Sequence, residues 1–230
     1  MKSTPWDYVW TGLWITLLLA AAAAAVHTVS PWTRGLLGAY HVLVDLALLL
    51  LSYGLLSALV VRTIVKLKPL APGAHGLDSA EFARWKLLTV LYRFGQGALR
   101  PLTPFFLAPV LDALFGARVG ADVAFGGTID DPYSVQVGDR VILGHHSLVS
   151  ANYLWGGRLT TGPVVIEDDV TLGAHVIVFP GVRIGKGAGV MNGAVVMPGT
   201  SIPAGEVWRG NPARKWVQVG GVPSTPSAAD

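Results

Sequence analysis

One period constrains this chain more than any other feature. From residue 166 to 208 every sixth position is aliphatic until a closing tryptophan: Ile166, Leu172, Val178, Ile184, Val190, Val196, Ile202 and Trp208. Three places after these stand Asp169, His175, Gly181, Gly187, Gly193, Gly199, Gly205 and Asn211. Four places after stand Val170, Val176, Val182, Ala188, Ala194 and Thr200. Neither the 3.6-residue period of a helix nor the plain alternation of a strand produces such columns. A period of six is that of a parallel β-helix, each six supplying a short strand and a corner. The aliphatic residue and the small residue four later point into a narrow interior. The residue three later takes the corner, where the backbone needs a positive φ. Glycine enters that region without a Cβ clash, and Asn, Asp and His tolerate it best among the rest. Three sixes close one triangular coil, and coils stack about 4.8 Å apart by strand hydrogen bonding.

The period runs backwards through Val119, Phe125, Asp131, Val137, Leu143 and Val149. Asp131 breaks the apolar rule, so the coil there is expected to be distorted. From Val149 to Ile166 is seventeen residues, five more than two sixes. A loop therefore leaves the coil within 151–163, and the count expects five extra residues in it. On that count the six starting at Ile166 lies above the six starting at Leu143, and Asp168 and Asp169 stack over His145 and His146.

The 116 residues before the coils ask for a different solvent. The chain is 52% hydrophobic and 13% charged, with mean hydropathy +0.52, which is too apolar for an ordinary soluble domain. Residues 8–27 carry no charge and are long enough to span a bilayer. Trp6, Trp10 and Trp14 stand near one end, as interfacial anchors do. Residues 36–61 form a second apolar run ending at Arg62, Lys66 and Lys68. The alternative is a signal peptide, with 20–25 imitating a cleavage region; Asp7 and the tryptophans are the wrong start for one. A transmembrane helical hairpin over 1–68 is the expectation. Its connection carries Arg34 alone, whereas Arg62, Lys66, Lys68, Arg84, Lys86 and Arg93 follow it. That asymmetry places both ends in the cytoplasm of a bacterial-type inner membrane. His41 and Asp45 lie four apart in the second run, on one helix face. They are either a functional ionisable pair or partners to each other or to a neighbouring subunit.

Residues 69–116 read as a linker. A Pro- and Gly-rich stretch at 69–76 precedes Asp78-Ser79-Ala80-Glu81, a helix start. Phe82, Trp85, Leu88, Leu91 and Tyr92 then make one apolar face beside Arg84, Lys86 and Arg93. This is an amphipathic helix for the membrane surface, for the base of the β-domain, or for both. A short helix is expected at about 105–115, the β-helix over 117–217, and a disordered tail over 218–230. The net charge of +3 and pI of 9.3 reflect few acids, and no basic–aromatic interleaving points to nucleic acid. There is no cysteine, so no thiolate metal site.

The repeats, the single protruding loop and the closing Trp208-Arg209-Gly210-Asn211-Pro212-Ala213-Arg214 resemble the hexapeptide-repeat acyltransferases. Over about 103–214 the chain is also similar to the C-terminal domains of membrane-bound ε-poly-lysine synthetase and related nonribosomal peptide synthetases. That likeness rests on Thr103-Pro104-Phe105-Phe106, Leu114-Phe115-Gly116-Ala117-Arg118-Val119-Gly120, Gly162-Pro163-Val164-Val165-Ile166 and the closing motif. The resemblance implies an all-β, left-handed parallel β-helix that works as a homotrimer. It implies acyl transfer from a coenzyme A thioester to a hydroxyl or amine, with no metal. It places the donor against the later coils and the closing motif, at Asn192, Gly193, Ala194, Gly210, Asn211 and Arg214, and Arg209 with Arg214 supplies positive charge suited to the donor's phosphates. The acceptor is a small molecule or lipid-linked, and a larger membrane complex is conceivable.

The family's base is a loop histidine, and here the loop has Asn152 and Tyr153 instead. Acyl transfer needs a proton acceptor near neutral pH, and histidine is the residue type suited to it. The candidates left are His146, with Asp169 to orient it, its neighbour His145, and His175 on another corner. Corner histidines are equally explained by the left-handed backbone alone. Two other readings stay open: a non-catalytic β-helix serving as an assembly subunit, and a γ-type carbonic anhydrase with three histidines on zinc.

Overall fold

A computed structural model describes residues 5–217, with the side chains of residues 5–7, 105 and 125 left aside. The expected disordered tail and the anchoring role of Trp6 therefore lie outside what is described. Helix α1 (Pro5–Leu37) and helix α2 (His41–Leu67) are joined by a short 3₁₀ turn at Gly38–Tyr40. Gly38 has φ +54°, which lets the chain reverse without a Cβ clash. The helices fold back on each other through Leu18, Ala22, Tyr53 and Ala58. Asp45 does not pair with His41: its two carboxylate oxygens accept from Ser30 Oγ and Thr33 Oγ1 of α1, each at 2.7 Å. His41 Nδ1 lies 2.9 Å from Gly38 O instead. Residues Tyr8–Leu67 are long and apolar enough to cross a membrane by length and composition. Val9, Leu13, Leu43, Leu46 and Leu59 face outward from the pair.

Helix α3 (Ala80–Leu99) starts where expected, with Ser79 Oγ accepting from the Phe82 amide at 3.1 Å. Its apolar face turns to α2. Small residues set the closeness: a Cβ at Gly54 would lie 2.3 Å from Leu99 Cγ, and one at Gly95 would meet Phe115 and Ser57 at 2.7 Å. Ser57 Oγ, buried in this contact, donates to Leu91 O at 2.7 Å. Helix α3 also meets the first coil, through Trp85 Nε1 to Asp131 and Arg93 to Asp130. A short helix α4 (Ala108–Leu114) leads into the coils.

The coils form three parallel sheets. The first holds Arg118–Val119, Val135–Val137, Val164–Ile166, Arg183–Ile184 and Ser201–Ile202. The second holds Ala124–Phe125, Ile142–Leu143, Thr171–Leu172, Gly189–Val190 and Val207–Arg209, with Arg214–Lys215 returning antiparallel on its last strand. The third holds Thr128–Asp130, Leu148–Ser150, Ile177–Val178 and Val195–Val196. The aliphatic column from Val137 onward is buried in one core with Val170, Val176, Val182 and Ala194, as the period requires. The corner column has positive φ at His146, Asp169, His175, Gly181, Gly187, Gly193, Gly199 and Gly205.

The first coil is distorted as Asp131 suggested. Ile129, not Asp131, pairs in register with Val149 and fills the core position. Asp131 follows in the left-handed region at φ 54°, buried to 2% exposure.

The loop count was wrong. Ile166 pairs with Val137, and Leu172 with Leu143. The loop therefore replaces no six: it adds eleven residues to a single step, folded as an antiparallel hairpin of Asn152–Trp155 and Arg158–Thr161. Five and eleven extra residues leave the same aliphatic phase, so the period could not tell them apart. A strand the sequence hid, Gly73–Gly76 of the linker, pairs with Arg158–Thr161 as the hairpin's third strand. Gly-Ala-His-Gly has no strand propensity, and only the open edge of the hairpin calls it into a sheet.

Candidate functional site

The corrected register moves every contact that depended on it. Asp169 stacks on Arg140, not on His146. Arg140 Nε donates to Asp169 Oδ1 at 2.6 Å and Arg140 Nη2 to Oδ2 at 3.0 Å, and Lys186 Nζ stands 3.7 Å away. The Arg140 hydrogen bonds hold the Asp169 carboxyl below the usual aspartate range. Asp168 Oδ1 accepts from the Asp139 amide at 3.0 Å. Neither acid orients a histidine.

What stacks on His146 is His175. The ring centroids of His146 and His175 are 5.3 Å apart, and those of His145 and His146 are 3.8 Å apart. The coil ladder fixes this, since the His175 amide donates to His145 O at 2.9 Å. The expectation that His175 stands on a different corner is therefore also overturned. All three rings are solvent-exposed, at the corner between the second and third sheets. Among the described residues no three His, Asp or Glu side chains are arranged to hold a metal ion.

The same corner continues upward to Asn192. Its Oδ1 accepts from the Ala174 amide at 3.0 Å, next to His175. Beside it a groove of about 460 Å³ runs over the second sheet, lined by Gly173, Gly189, Met191, Asn192, Arg209 and Gly210. Gly189 opens this groove. It is the outward residue of its strand, between Thr171 and Val207, and a Cβ there would meet only Val207 Cγ2, at 3.8 Å. Its φ is not in the left-handed region, so no corner geometry explains it. Sequence reasoning passed over it, although the other outward positions read Val165, Thr171, Ile177, Arg183, Val195, Ser201 and Val207.

Of the positions expected to hold a donor, Asn192, Arg209 and Gly210 meet in the groove. Gly193 and Ala194 do not line it. The Gly193 amide donates to Ala174 O at 2.8 Å, the Ala194 amide to Met191 O at 3.2 Å, and the Ala194 side chain is fully buried in the core. Their amides are held by the coil and cannot also bind a ligand. Arg209 lies over the Trp216 ring, 5.6 Å from its centroid. The closing turn docks on the third sheet, with the Val195 amide donating to Gly210 O at 3.0 Å and the Ala213 amide to Val195 O at 2.8 Å. Asn211 and Arg214 are exposed in that turn, and Arg214 Nη1 reaches Ala213 O.

Asn152 has a structural partner. Its Nδ2 donates to Asp131 Oδ2 at 2.7 Å, joining Trp85 Nε1 at 2.9 Å and Tyr133 OH at 3.0 Å on the same carboxylate. Burial pushes this carboxyl up, and the three donors pull it back. Asp131 thus ties α3, the hairpin and the first coil together. Asn152→Ala should lower stability by about 1–3 kcal/mol, the cost of a buried acceptor losing a donor. Thermal unfolding checks this, and an unchanged melting temperature would sink the tie.

A family model described as hexapeptide repeat of succinyl-transferase matches residues 163–198. A curated relative, 2,3,4,5-tetrahydropyridine-2,6-dicarboxylate N-acetyltransferase of Staphylococcus aureus, is 46% identical over 66 residues, which are 29% of this chain and 27% of the relative. The chain thus spans about a quarter of the length of that relative. Solved structures of similar shape include a hexapeptide-repeat acetyltransferase of Vibrio cholerae complexed with acetyl coenzyme A, 18% identical over 63% of this chain and 92% of that one, TM-score 0.45. A galactoside acetyltransferase in complex with coenzyme A is 15% identical over 70% and 91%, TM-score 0.47. What the chain has in common with the matched family is therefore the hexapeptide repeat itself, carried by residues 163–198.

Proposed function

We propose that this protein is a membrane-anchored acyltransferase of the hexapeptide-repeat type. It acts as a homotrimer on the cytoplasmic face and takes its acyl group from a coenzyme A thioester. The observation that carries this reading is the shared corner: the His145–His146–His175 stack and the groove at Asn192, Arg209 and Gly210 adjoin through the Ala174–Asn192 hydrogen bond. The N-acetyltransferase relative that shares the repeat supports it. The likeness of 103–214 to the membrane-bound ε-poly-lysine synthetase domains is a finer form of the same reading.

In this reading the groove takes the pantetheine arm, Gly189 letting it lie flat, and Arg209 faces the donor's phosphates. Asn211 and Arg214 flank the same end. The acceptor's hydroxyl or amine attacks the thioester carbonyl. Its proton passes to a histidine of the stack, and the carbon–sulfur bond breaks as the tetrahedral intermediate collapses. That proton then returns to the departing thiolate, releasing coenzyme A as its thiol.

The test is donor binding. Calorimetry on the purified protein should show coenzyme A binding. Gly189→Leu, which fills the groove without backbone strain, should weaken it at least tenfold with no change in melting temperature. Arg209→Ala should cost about 1.5–3 kcal/mol, the value of a charge-assisted contact. If the wild type binds no coenzyme A at millimolar concentration, the coenzyme A form of the reading fails. A second reading, an assembly subunit without catalysis, is favoured by one observation: the hairpin carries no histidine and its Asn152 is held by Asp131. A protein that assembles but binds no donor would establish that reading.

A further inference from the structure

The corner that carries the histidines continues downward as well as upward. One coil below, Gly126 and Gly127 replace the corner side chains, and the His146 amide donates to Gly126 O at 2.9 Å. These two glycines form one wall of a pocket of about 340 Å³ whose other walls are Arg100, Thr103, Asp112 and Thr128 together with the apolar Pro104, Ala108, Leu111 and Ile129. In the proposed function the donor lies above the histidines, which leaves this pocket to another ligand.

The glycines are required by the coil stacked above: a Cβ at Gly126 would lie 3.0 Å from Leu143 O, and one at Gly127 would lie 2.2 Å from Ser147 Oγ. What marks the pocket itself is a buried acid in its wall. Asp112 is a buried carboxyl, and Gln96 Nε2 engages its Oδ1 at 2.8 Å.

The pocket also has an apolar continuation. Thr103 and Leu111 line both it and a second cavity of about 540 Å³ between α2 and α4, with Leu51, Leu55, Leu107 and Val110. The pocket one coil below the histidines and the groove between α2 and α4 thus adjoin through two shared side chains.

We infer that pocket and groove together are the acceptor site, and that the acceptor is an amphiphile with a hydroxyl-bearing head group that carries no positive charge and one apolar chain. This rests on the acyltransferase reading and deepens it. The chain lies between α2 and α4, and the head group sits in the pocket with a hydroxyl toward the histidine stack. The head-group chemistry follows from the walls. Arg100 disfavours an ammonium, and Asp112, whose burial holds its proton towards neutral pH, meets a head-group hydroxyl as a neutral acid. A neutral polyol can donate to Asp112 and accept from Arg100 and Thr128 at once. The chain's chemistry follows from the groove, which is lined by aliphatic side chains apart from Thr103 and Arg62, and these two already donate to Leu99 O and Ala113 O.

The experiment uses the full chain in phosphatidylcholine nanodiscs and a decyl glucoside with a photoactivatable diazirine in its alkyl chain. Cross-links should map to 107–114 and 51–55, and unlabelled decyl glucoside should compete while decane does not. Val110→Trp and Thr128→Tyr alter exposed side chains and should each reduce labelling at least fivefold. Coenzyme A binding, measured in parallel by calorimetry, should be unchanged in both. Radiolabelled acetyl coenzyme A should acetylate decyl glucoside at least tenfold faster than methyl glucoside. Cross-links on Ile15 or Leu19 of the neighbouring helical crevice, or equal competition by decane, would overturn the site. Site-specific labelling with bound coenzyme A but no chain-length preference in transfer would overturn its role as acceptor. Loss of coenzyme A binding with labelling intact would instead remove the enzyme reading and leave the amphiphile site standing.

Discussion

His146→Ala is expected to lower turnover by about 10²–10⁴, the usual loss on removing a general base. Coenzyme A affinity should stay nearly unchanged, because the groove lies above the stack. The hairpin supplies no histidine, and its Asn152 is engaged by Asp131. His146 stands between His145 and His175 on the corner that joins the groove to the pocket below. His175→Ala should cost less, since it removes a neighbour of the base and not the base. Asp169→Asn should leave turnover untouched, because that carboxylate serves Arg140. Steady-state kinetics on the four proteins decides the matter. Wild-type turnover in His146→Ala with a large loss in His175→Ala would move the role one coil up. Wild-type turnover with all three histidines replaced would remove the stack from catalysis.

Asp112 alone should take about 4 kcal/mol of stability from the fold as pH rises from 4 to 7.5. Burial raises the Asp112 carboxyl from 3.8 to about 7, against the pull of Gln96 and Arg100. The sign follows from proton counting. Between those two values the folded chain keeps the proton and the unfolded chain releases it, so the unfolded state gains as pH rises. The stabilising contribution is complete below about pH 4 and is lost as pH passes through about 7. Melting temperatures of the detergent-solubilised protein across this range measure it. Asp112→Asn should remove its share of the slope. A slope of the same sign should remain from Asp131, which burial also raises. A melting temperature that rises with pH through this window, or an Asp112→Asn slope equal to wild type, would show that Asp112 ionises freely in the fold.

Several expectations failed together, and for one reason. The period of six determines which residues point inward, because inwardness repeats every six whatever face a six occupies. It carries no label for the face. An excursion of five residues beyond two sixes and one of eleven beyond a single six keep every aliphatic residue inside, yet they turn the corner assignment by one face in three. The choice of eleven brings His175 over His146, and Asp169 over Arg140. Asp169 as an orienting acid, and His175 on a different corner, were consequences of that one ambiguity.

By itself the sequence determined the repeat, its interior, its positive-φ corners, the distortion at Asp131 and the apolar helices, since each follows from local spacing and side-chain chemistry. The family resemblance, and not the spacing, pointed to Asn192 and Gly210, which the structure gathers in one groove with Arg209. Only the tertiary structure decided what lies beside what. Gly73–Gly76 joins a hairpin more than eighty positions away because that hairpin has an open edge. Asp131 is satisfied by Trp85, Tyr133 and Asn152, three donors from separate segments. Gly189 makes a groove only because Thr171 and Val207 flank it one coil below and one above. Stacking joins residues about eighteen or more positions apart, and a pattern with period six is the same for every face on which that stacking could begin.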